Sequence, residues 1–538
     1  MQLELWSDGV RYSASAVASE FEIITVTPHR SGITELRLEL PVIDIQGYWI
    51  PSNRTSTARI PWVIEFTSAA QRDFPFIAFF NSAQENRYSI GLDCLPDDVR
   101  IIAKMNQEAC RYELNITVTS PPGARPFKVI VNRRRRLWTE CLADWRNELP
   151  RPELNFPPAA WEPVFCTWYA VHAAVTAGWV EETAKEAAEL GFGTYIIDDG
   201  WCFDELKRVT PETLRDWYEM IGDWEVSEKK FPDFTGHIRK VQAFGLNYMI
   251  WVTPFLIGLK SKLYQEIKSC LSGECAEGRR VFDTAHVETG RIIIEKIASL
   301  METYPLDGLK VDFLDYVMPS VDEPRGRLTH DFIRELSAAI RKSKADALIE
   351  FRQSYATPAM LPYGTQFRAG DVPFDFIDNF QRLAQIRISI GDGVPIHADP
   401  MYWHPRETAA NISRHLIASL PGVPMLSMDL TRLSVSEKLI IAHWLDFYRC
   451  HRATLNLGKW EIRYGAAGVN WAAVTGEQER IVILAEPHCL AEALGNSAGT
   501  RYLLNLTAEP LSHPNAKAFD HSGETVNGAA PSGGYLQL

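Results

Sequence analysis

The chain has 538 residues, too many for one ordinary core, and 46% apolar with 23% charged residues describes a water-soluble globular protein of several domains. A net charge of −13 argues against a nucleic-acid partner, which would want a basic face. No apolar run reaches about 18 residues and the first residues carry no basic start, so neither a membrane span nor a signal peptide is expected, and the cytoplasm is the expected location. The nine cysteines are scattered and odd in number, and Cys270 with Cys275 is too isolated for a zinc site.

Residues 1–150 read as β structure. Glu22-Ile23-Ile24-Thr25-Val26-Thr27 and Glu113-Leu114-Asn115-Ile116-Thr117-Val118 alternate or are β-branched, and loops rich in Gly, Pro and Asn separate such runs. A β-sandwich is expected. The basic run 133–136 beside Trp138 reads as a solvated or carboxylate-paired edge, and the prolines from 150 to 158 read as a linker. From 160 to 450 the pattern becomes strand, loop, helix, repeated. Candidate strands are 164–169, 194–198, 248–253, 280–283, 308–312, 347–351, 366–369 and 395–398, with helices such as 180–190 and 290–304 between them. Eight strands in this spacing predict a central (β/α)8 TIM barrel. An open doubly wound sheet is the competitor, but no Gly-x-Gly-x-x-Gly turn follows the first strand. A helix over 435–448 closes the barrel. Residues 455–538 form a small C-terminal β domain, loose from Asp520 onward.

Two segments carry the chemistry: Tyr195-Ile196-Ile197-Asp198-Asp199-Gly200-Trp201 and Asp307-Gly308-Leu309-Lys310-Val311-Asp312-Phe313. Each is an apolar run ending in charged or aromatic residues, as in a buried parallel strand that opens into a pocket. The plain alternative is an aspartate cap on the following helix. Period 2 puts Lys310 and Asp312 on one face, where a lysine keeps the carboxylate ionised. An ionised carboxylate can attack an anomeric carbon, or the two can be a structural ion pair. In Arg368-Ala369-Gly370-Asp371, Asp371 is a candidate proton donor and Arg368 a hydrogen-bond donor to substrate, although Gly-Asp is also a common turn and Asp375 lies close by. Asp198, Asp199, Trp201, Trp224 and Trp251 suit sugar recognition, since carboxylates accept from hydroxyls and indole faces pack on C–H surfaces. With sixteen tryptophans in the chain, Trp224 and Trp251 fit a core equally well. No His-rich or carboxylate-triad ligand set stands at the strand ends, so no metal and no cofactor are expected.

Several stretches resemble glycoside hydrolase family 36, the α-galactosidases and their relatives. They are Ile197-Asp198-Asp199-Gly200-Trp201, Gly222-Asp223-Trp224, Lys230-Phe231-Pro232, Met249-Ile250-Trp251-Val252-Thr253-Pro254-Phe255, Leu309-Lys310-Val311-Asp312, and the late Met428-Asp429-Leu430-Thr431-Arg432-Leu433-Ser434. The resemblance implies a β-sandwich, a barrel and a C-terminal β domain. It implies a retaining α-glycosidase, α-galactosidase by default, working by double displacement on an α-galactoside-type oligosaccharide or glycoconjugate. It casts Asp312 as nucleophile and Asp371 as acid/base. Asp198 and Asp199 would hold the 4- and 6-hydroxyls, Trp251 the sugar face, Lys310 a ring hydroxyl, and Arg368 the region of the 2-hydroxyl. A raffinose-synthase-like transglycosylase and an inactive carbohydrate-binding protein are the alternatives. Whether subunits associate stays open. The chain departs from the family at Phe351-Arg352-Gln353-Ser354-Tyr355, where relatives carry a Cys- and Gly-rich turn. Arg352, read as the end of the sixth strand, either meets the sugar's 2-substituent or pairs with Glu350.

Overall fold

The computed structural model describes every residue except 54–55, 122, 151, 205–215, 273–277, 373 and 496–498, and the side chains of 216 and 217. Cys275, weighed above as half of a metal pair, lies outside the described residues.

The N-terminal strands form two six-stranded antiparallel sheets. Period-2 sequences bury alternate residues, as in Arg111–Thr119, where Tyr112, Leu114, Ile116 and Val118 are fully buried. Phe76–Phe80 breaks that alternation and is buried throughout because its two faces serve two cores. Ile77 and Phe79 point into the sandwich, while Phe76, Ala78 and Phe80 join Trp49, Trp138 and Trp145 in the core shared with the barrel. The helix Trp138–Glu148 lies over this face. A Cβ on Gly91 would come within 2.3 Å of the Trp145 ring, so only glycine admits the helix this closely. The run 133–136 is a carboxylate-paired edge: Arg134 and Arg136 both reach Asp144.

Eight parallel strands then form the barrel: β1 (Val164–Cys166), β2 (Thr194–Ile197), β3 (Asn247–Val252), β4 (Gly308–Val311), β5 (Leu348–Arg352), β6 (Gln366–Arg368), β7 (Ile396–His397) and β8 (Met425–Leu426). Consecutive strands pair from β1 to β7, β8 pairs with β1, and His397 bridges to Val423 ahead of β8, which nearly closes the ring.

Two strand expectations need correction. Residues 280–283 are not a barrel strand: Arg279–Val281 pairs antiparallel with Leu256–Gly258 on an excursion that follows β3. The missing strand is β8, whose two residues are too few to show any periodicity. Arg352 therefore ends the fifth strand, not the sixth. The segment after Asp520 is not loose either. Thr525–Val526 and Tyr535–Gln537 belong to the seven-stranded C-terminal sheet, and Leu536 is fully buried.

Long helices follow every strand but β5, which is succeeded only by the short turns Gln353–Tyr355 and Pro358–Met360. Pro358 and Pro362 forbid a continuous helix there. The sandwich fills the gap: Asp73 N–H donates to the Ser354 carbonyl, and the Thr357 hydroxyl donates to the Ala70 carbonyl. The loop carrying the family departure is thus braced by the N-terminal sheets. Among the described residues no helix is long and apolar enough to cross a membrane.

Candidate active site

The C-terminal strand ends open into a pocket of about 270 Å³. Its wall includes Asp198 and Asp199 beyond β2, Trp251 on β3, Lys310 and Asp312 at β4, Arg352 on β5, Arg368 on β6, Asp371 after it, and Asp399 after β7.

Asp312 is 6% exposed and has three donors around it. The Trp251 indole N–H donates to Oδ2 at 3.1 Å, the Phe313 amide donates to Oδ1 at 2.9 Å, and Arg352 Nη1 lies 3.5 Å from Oδ1. The Phe313 amide reaches back because Phe313 adopts a left-handed φ of 59°. Burial pushes the carboxyl up, but the charges of Arg352, Lys310 and Arg368 outweigh it and hold Asp312 below its ordinary value. Asp312 is therefore an ionised carboxylate aimed into a pocket.

Lys310 points inward from β4, as period 2 requires, but its partner is not Asp312. Its ammonium donates to Asp198 Oδ2 at 2.5 Å, and both side chains are buried. Burial pulls the lysine down, and the Asp198 charge more than offsets this. Asp198 also accepts from the Cys166 thiol at 3.1 Å, and its amide donates to the Thr167 hydroxyl.

Asp371 stands at the mouth with 49% of its side chain open. Arg352 Nη2 bonds Oδ2, and Arg368 Nη1 reaches Oδ1 at 3.1 Å. Burial of the carboxyl opposes ionisation, yet Arg352, Arg368 and Lys310 hold it well below the usual carboxylate range. Gly370 admits this turn: a Cβ there would meet Arg382 Nη1 at 2.5 Å. Asp375, the rival acid, caps the next helix by accepting from the Asp378 amide at 2.9 Å and does not line the pocket. Nor is Arg352 paired with Glu350. Glu350 lies beneath the site against Arg368 at 3.6 Å, His397 at 3.5 Å and Gln366 at 3.2 Å.

Trp201, expected at the sugar, is fully buried behind the pocket. Its ring stacks on Phe234, and its indole N–H donates to the Trp251 carbonyl at 2.8 Å. Trp224 is likewise core. Of these three tryptophans it is Trp251, 2% exposed, that reaches the wall.

Sequence reasoning missed Asp399, although Ile396-His397-Ala398-Asp399 has the same apolar-run-to-acid form as the others. Asp399 accepts from Arg368 at 2.5 Å, from the Val372 amide at 2.6 Å and from the Tyr169 hydroxyl at 3.2 Å. Burial pushes it up to about 7, helped by the Asp371 charge and opposed by Arg368. A raised value means that the folded state binds this proton more tightly than the unfolded chain. The stability so gained is complete below the ordinary value of 3.8 and is lost as the pH rises to about 7. Asp399→Asn removes this titration. The difference in melting temperature between variant and wild type should therefore drift in the variant's favour from pH 4 to 7, and a constant difference would contradict the assignment.

Tyr169, Trp168, Tyr218 and Phe313 complete an aromatic rim. Among the described residues no group of three or more His, Cys, Asp or Glu side chains could hold a metal. Five carboxylates interleaved with three cations under aromatic rings form a site built for a neutral, hydroxyl-rich ligand.

The fold is a (β/α)8 barrel set between an N-terminal β-sandwich and a C-terminal sheet. The Melibiase family model matches residues 156–335, which run from ahead of β1 through β4. The chain is 23% identical over 324 residues to alpha-galactosidase 1 of Pediococcus pentosaceus, covering 56% of this chain and 42% of that protein. The match thus spans less than half the length of that relative. Among solved structures, the GH36 alpha-galactosidase AgaB of Geobacillus stearothermophilus superposes with a TM-score of 0.64 at 15% identity, covering 100% of this chain and 87% of that one. A variant of AgaA from the same organism, in complex with raffinose, gives 0.64 at 16% identity over 84% and 69%. Residues 156–335 are thus melibiase-like, and the fold is shared with the solved glycoside hydrolase family 36 alpha-galactosidases.

Proposed function

We propose that the chain is a retaining α-glycosidase acting on α-galactosides, with its catalytic unit in residues 160–450. The observation that carries this reading is that one guanidinium, Arg352, touches both Asp312 and Asp371. The two carboxylates thus share one cation in one pocket, as a nucleophile and an acid/base that act on the same glycosidic bond require.

In this reading Asp312 attacks the anomeric carbon as the glycosidic bond breaks. Asp371 gives its proton to the leaving oxygen. Water then attacks the glycosyl–Asp312 ester, its proton passing to Asp371, and the sugar leaves with its original anomeric configuration. Asp198 and Asp199 accept from the sugar's hydroxyls, Lys310 and Arg368 donate to others, and Trp251 packs on the C–H face. The names of relatives and the raffinose bound to one of them support galactose as the glycone.

A screen of aryl α-galactoside, N-acetylgalactosaminide, glucoside and xyloside tests the substrate class, and NMR of the first-formed anomer tests retention. A β-configured first product, or no turnover of any aryl α-glycoside, would overturn the reading. Within it, Asp371→Ala should depress substrates with poor leaving groups by about 10²–10⁴-fold and those with activated aryl groups far less, because only the former need the proton. Equal losses across a leaving-group series would remove Asp371 from the acid role.

A further inference from the structure

Asp371 presents a difficulty for the mechanism just proposed. A general acid must carry a proton when substrate arrives, but Asp371 is clamped between Arg352 and Arg368. The two arginines differ. Arg368 is 2% exposed and anchored to Asp399, Glu350 and the Ala369 carbonyl as well. Arg352 is the outer one, with 18% of its side chain open, and its guanidinium contacts both carboxylates of the proposed pair. It rests 5.3 Å from the Phe313 ring centre. Two residues beyond Phe313 stands Asp315, whose charge also acts on Arg352. Asp315 Oδ1 is buried and has no hydrogen-bond partner among the described residues. Leaving such an oxygen unpaired is costly, so Asp315 offers a cation beside Phe313 a second carboxylate.

We infer that Arg352 is a displaceable counter-ion: it sits on Asp371 and Asp312, and a sugar entering the pocket shifts it across Phe313 to Asp315. The inference rests on the glycosidase reading above. With the guanidinium gone, Asp371 takes a proton from solvent, which it then gives to the glycosidic oxygen; in the second half of the cycle it recovers one from water. Arg352 thereby acts as a positioning residue that ties protonation of the acid to occupancy of the pocket. The other groups facing Asp371 keep their places: Arg368 on β6, Asp399 after β7, Lys310 and Asp312 at β4, the Tyr169 hydroxyl after β1, and Arg382, which is ion-paired to Asp378 on the helix Phe376–Ile390.

The test reads the Asp371 carboxyl directly by infrared difference titration of the whole chain, the band being assigned with Asp371→Asn. This needs no turnover, so it decides the counter-ion role even if every glycoside tried proves inert, a result that would instead sink the glycosidase reading. In Arg352→Gln the Asp371 midpoint should rise by about one pH unit or more, because an adjacent opposite charge has been removed. Arg352→Lys, which keeps the charge, should stay nearer wild type. Saturating galactose should raise the wild-type Asp371 midpoint, because the guanidinium then leaves it, and Asp315→Asn, which removes the second carboxylate, should abolish that rise. An Arg352→Gln midpoint equal to wild type overturns the proposal, as does a wild-type midpoint that galactose leaves unmoved. A static Arg352–Asp371 pair would raise the Arg352→Gln midpoint but leave the wild-type midpoint insensitive to galactose. Where turnover is measurable, the basic limb of the kcat/KM profile should move with the infrared midpoint.

Discussion

Asp312→Gly should lower kcat on every α-glycoside by on the order of 10⁴-fold or more, the scale expected when a nucleophile is removed. The carboxylate is buried, ionised and aligned by Trp251, Phe313 N–H and Arg352, so no neighbour can replace it in place. Asp198 is held by Lys310 and Asp399 by Arg368, each engaged elsewhere. Azide gives the prediction its sharper edge. In Asp312→Gly it can enter the vacated space and attack the anomeric carbon from the nucleophile's side, yielding a β-glycosyl azide from an activated α-glycoside. In Asp371→Gly it should instead attack the glycosyl–Asp312 ester from the opposite face and yield the α-azide. The anomer found by NMR thus assigns each carboxylate separately. The same anomer from both variants would refute the pairing of roles, and full activity in Asp312→Gly would refute the mechanism.

Lys310→Met should destabilise the fold by about 3–5 kcal/mol, because it leaves Asp198 as a buried charge without its cation. Both side chains of this pair are almost wholly removed from water, at 6% and 5% exposure. The cost comes from the orphaned carboxylate more than from the lost bond, which makes a second expectation. The double variant Lys310→Met with Asp198→Asn should recover much of the loss, since no charge then remains unpaired. Exposed pairs such as Lys262 with Glu225 provide the control, and breaking that one should leave the melting temperature where it was. Urea unfolding at pH 7 compares the four proteins. A single variant no less stable than the control, or a double variant worse than the single, would show that the barrel tolerates a bare carboxylate beside Cys166.

Much of this architecture was legible because it is written in local periodicity. A β/α barrel strand that is buried on both faces must be apolar until it reaches the pocket, and there it must turn polar. Ile196-Ile197-Asp198 and Leu309-Lys310-Val311-Asp312 carry that transition in three or four residues, and both acids stand at the pocket wall. The arrangement of strand and helix likewise follows from the change of apolar spacing near residue 160.

What could not be read locally is what depends on partners distant in the chain. Residues 280–283 and Met425–Leu426 each hold just two adjacent apolar side chains, and only pairing decides that the second closes the barrel while the first lies outside it. Trp201 and Trp251 are equally plausible against a sugar by composition. The three-dimensional packing turns one onto Phe234 and leaves the other at the pocket. Asp399 directly follows the expected strand 395–398, yet only its bond to Arg368 across the pocket marks it as part of the site. The sequence by itself determined which side chains are available at the strand ends and that they are acids, cations and aromatic rings. Only the tertiary structure decided which charge neutralises which: Lys310 with Asp198 rather than Asp312, Arg352 with both Asp312 and Asp371 rather than Glu350. The reason is physical. Alternation along one strand fixes the face a side chain takes, but the neighbour it meets across the barrel is set by strands up to 112 residues away, and in a buried site the nearest opposite charge wins.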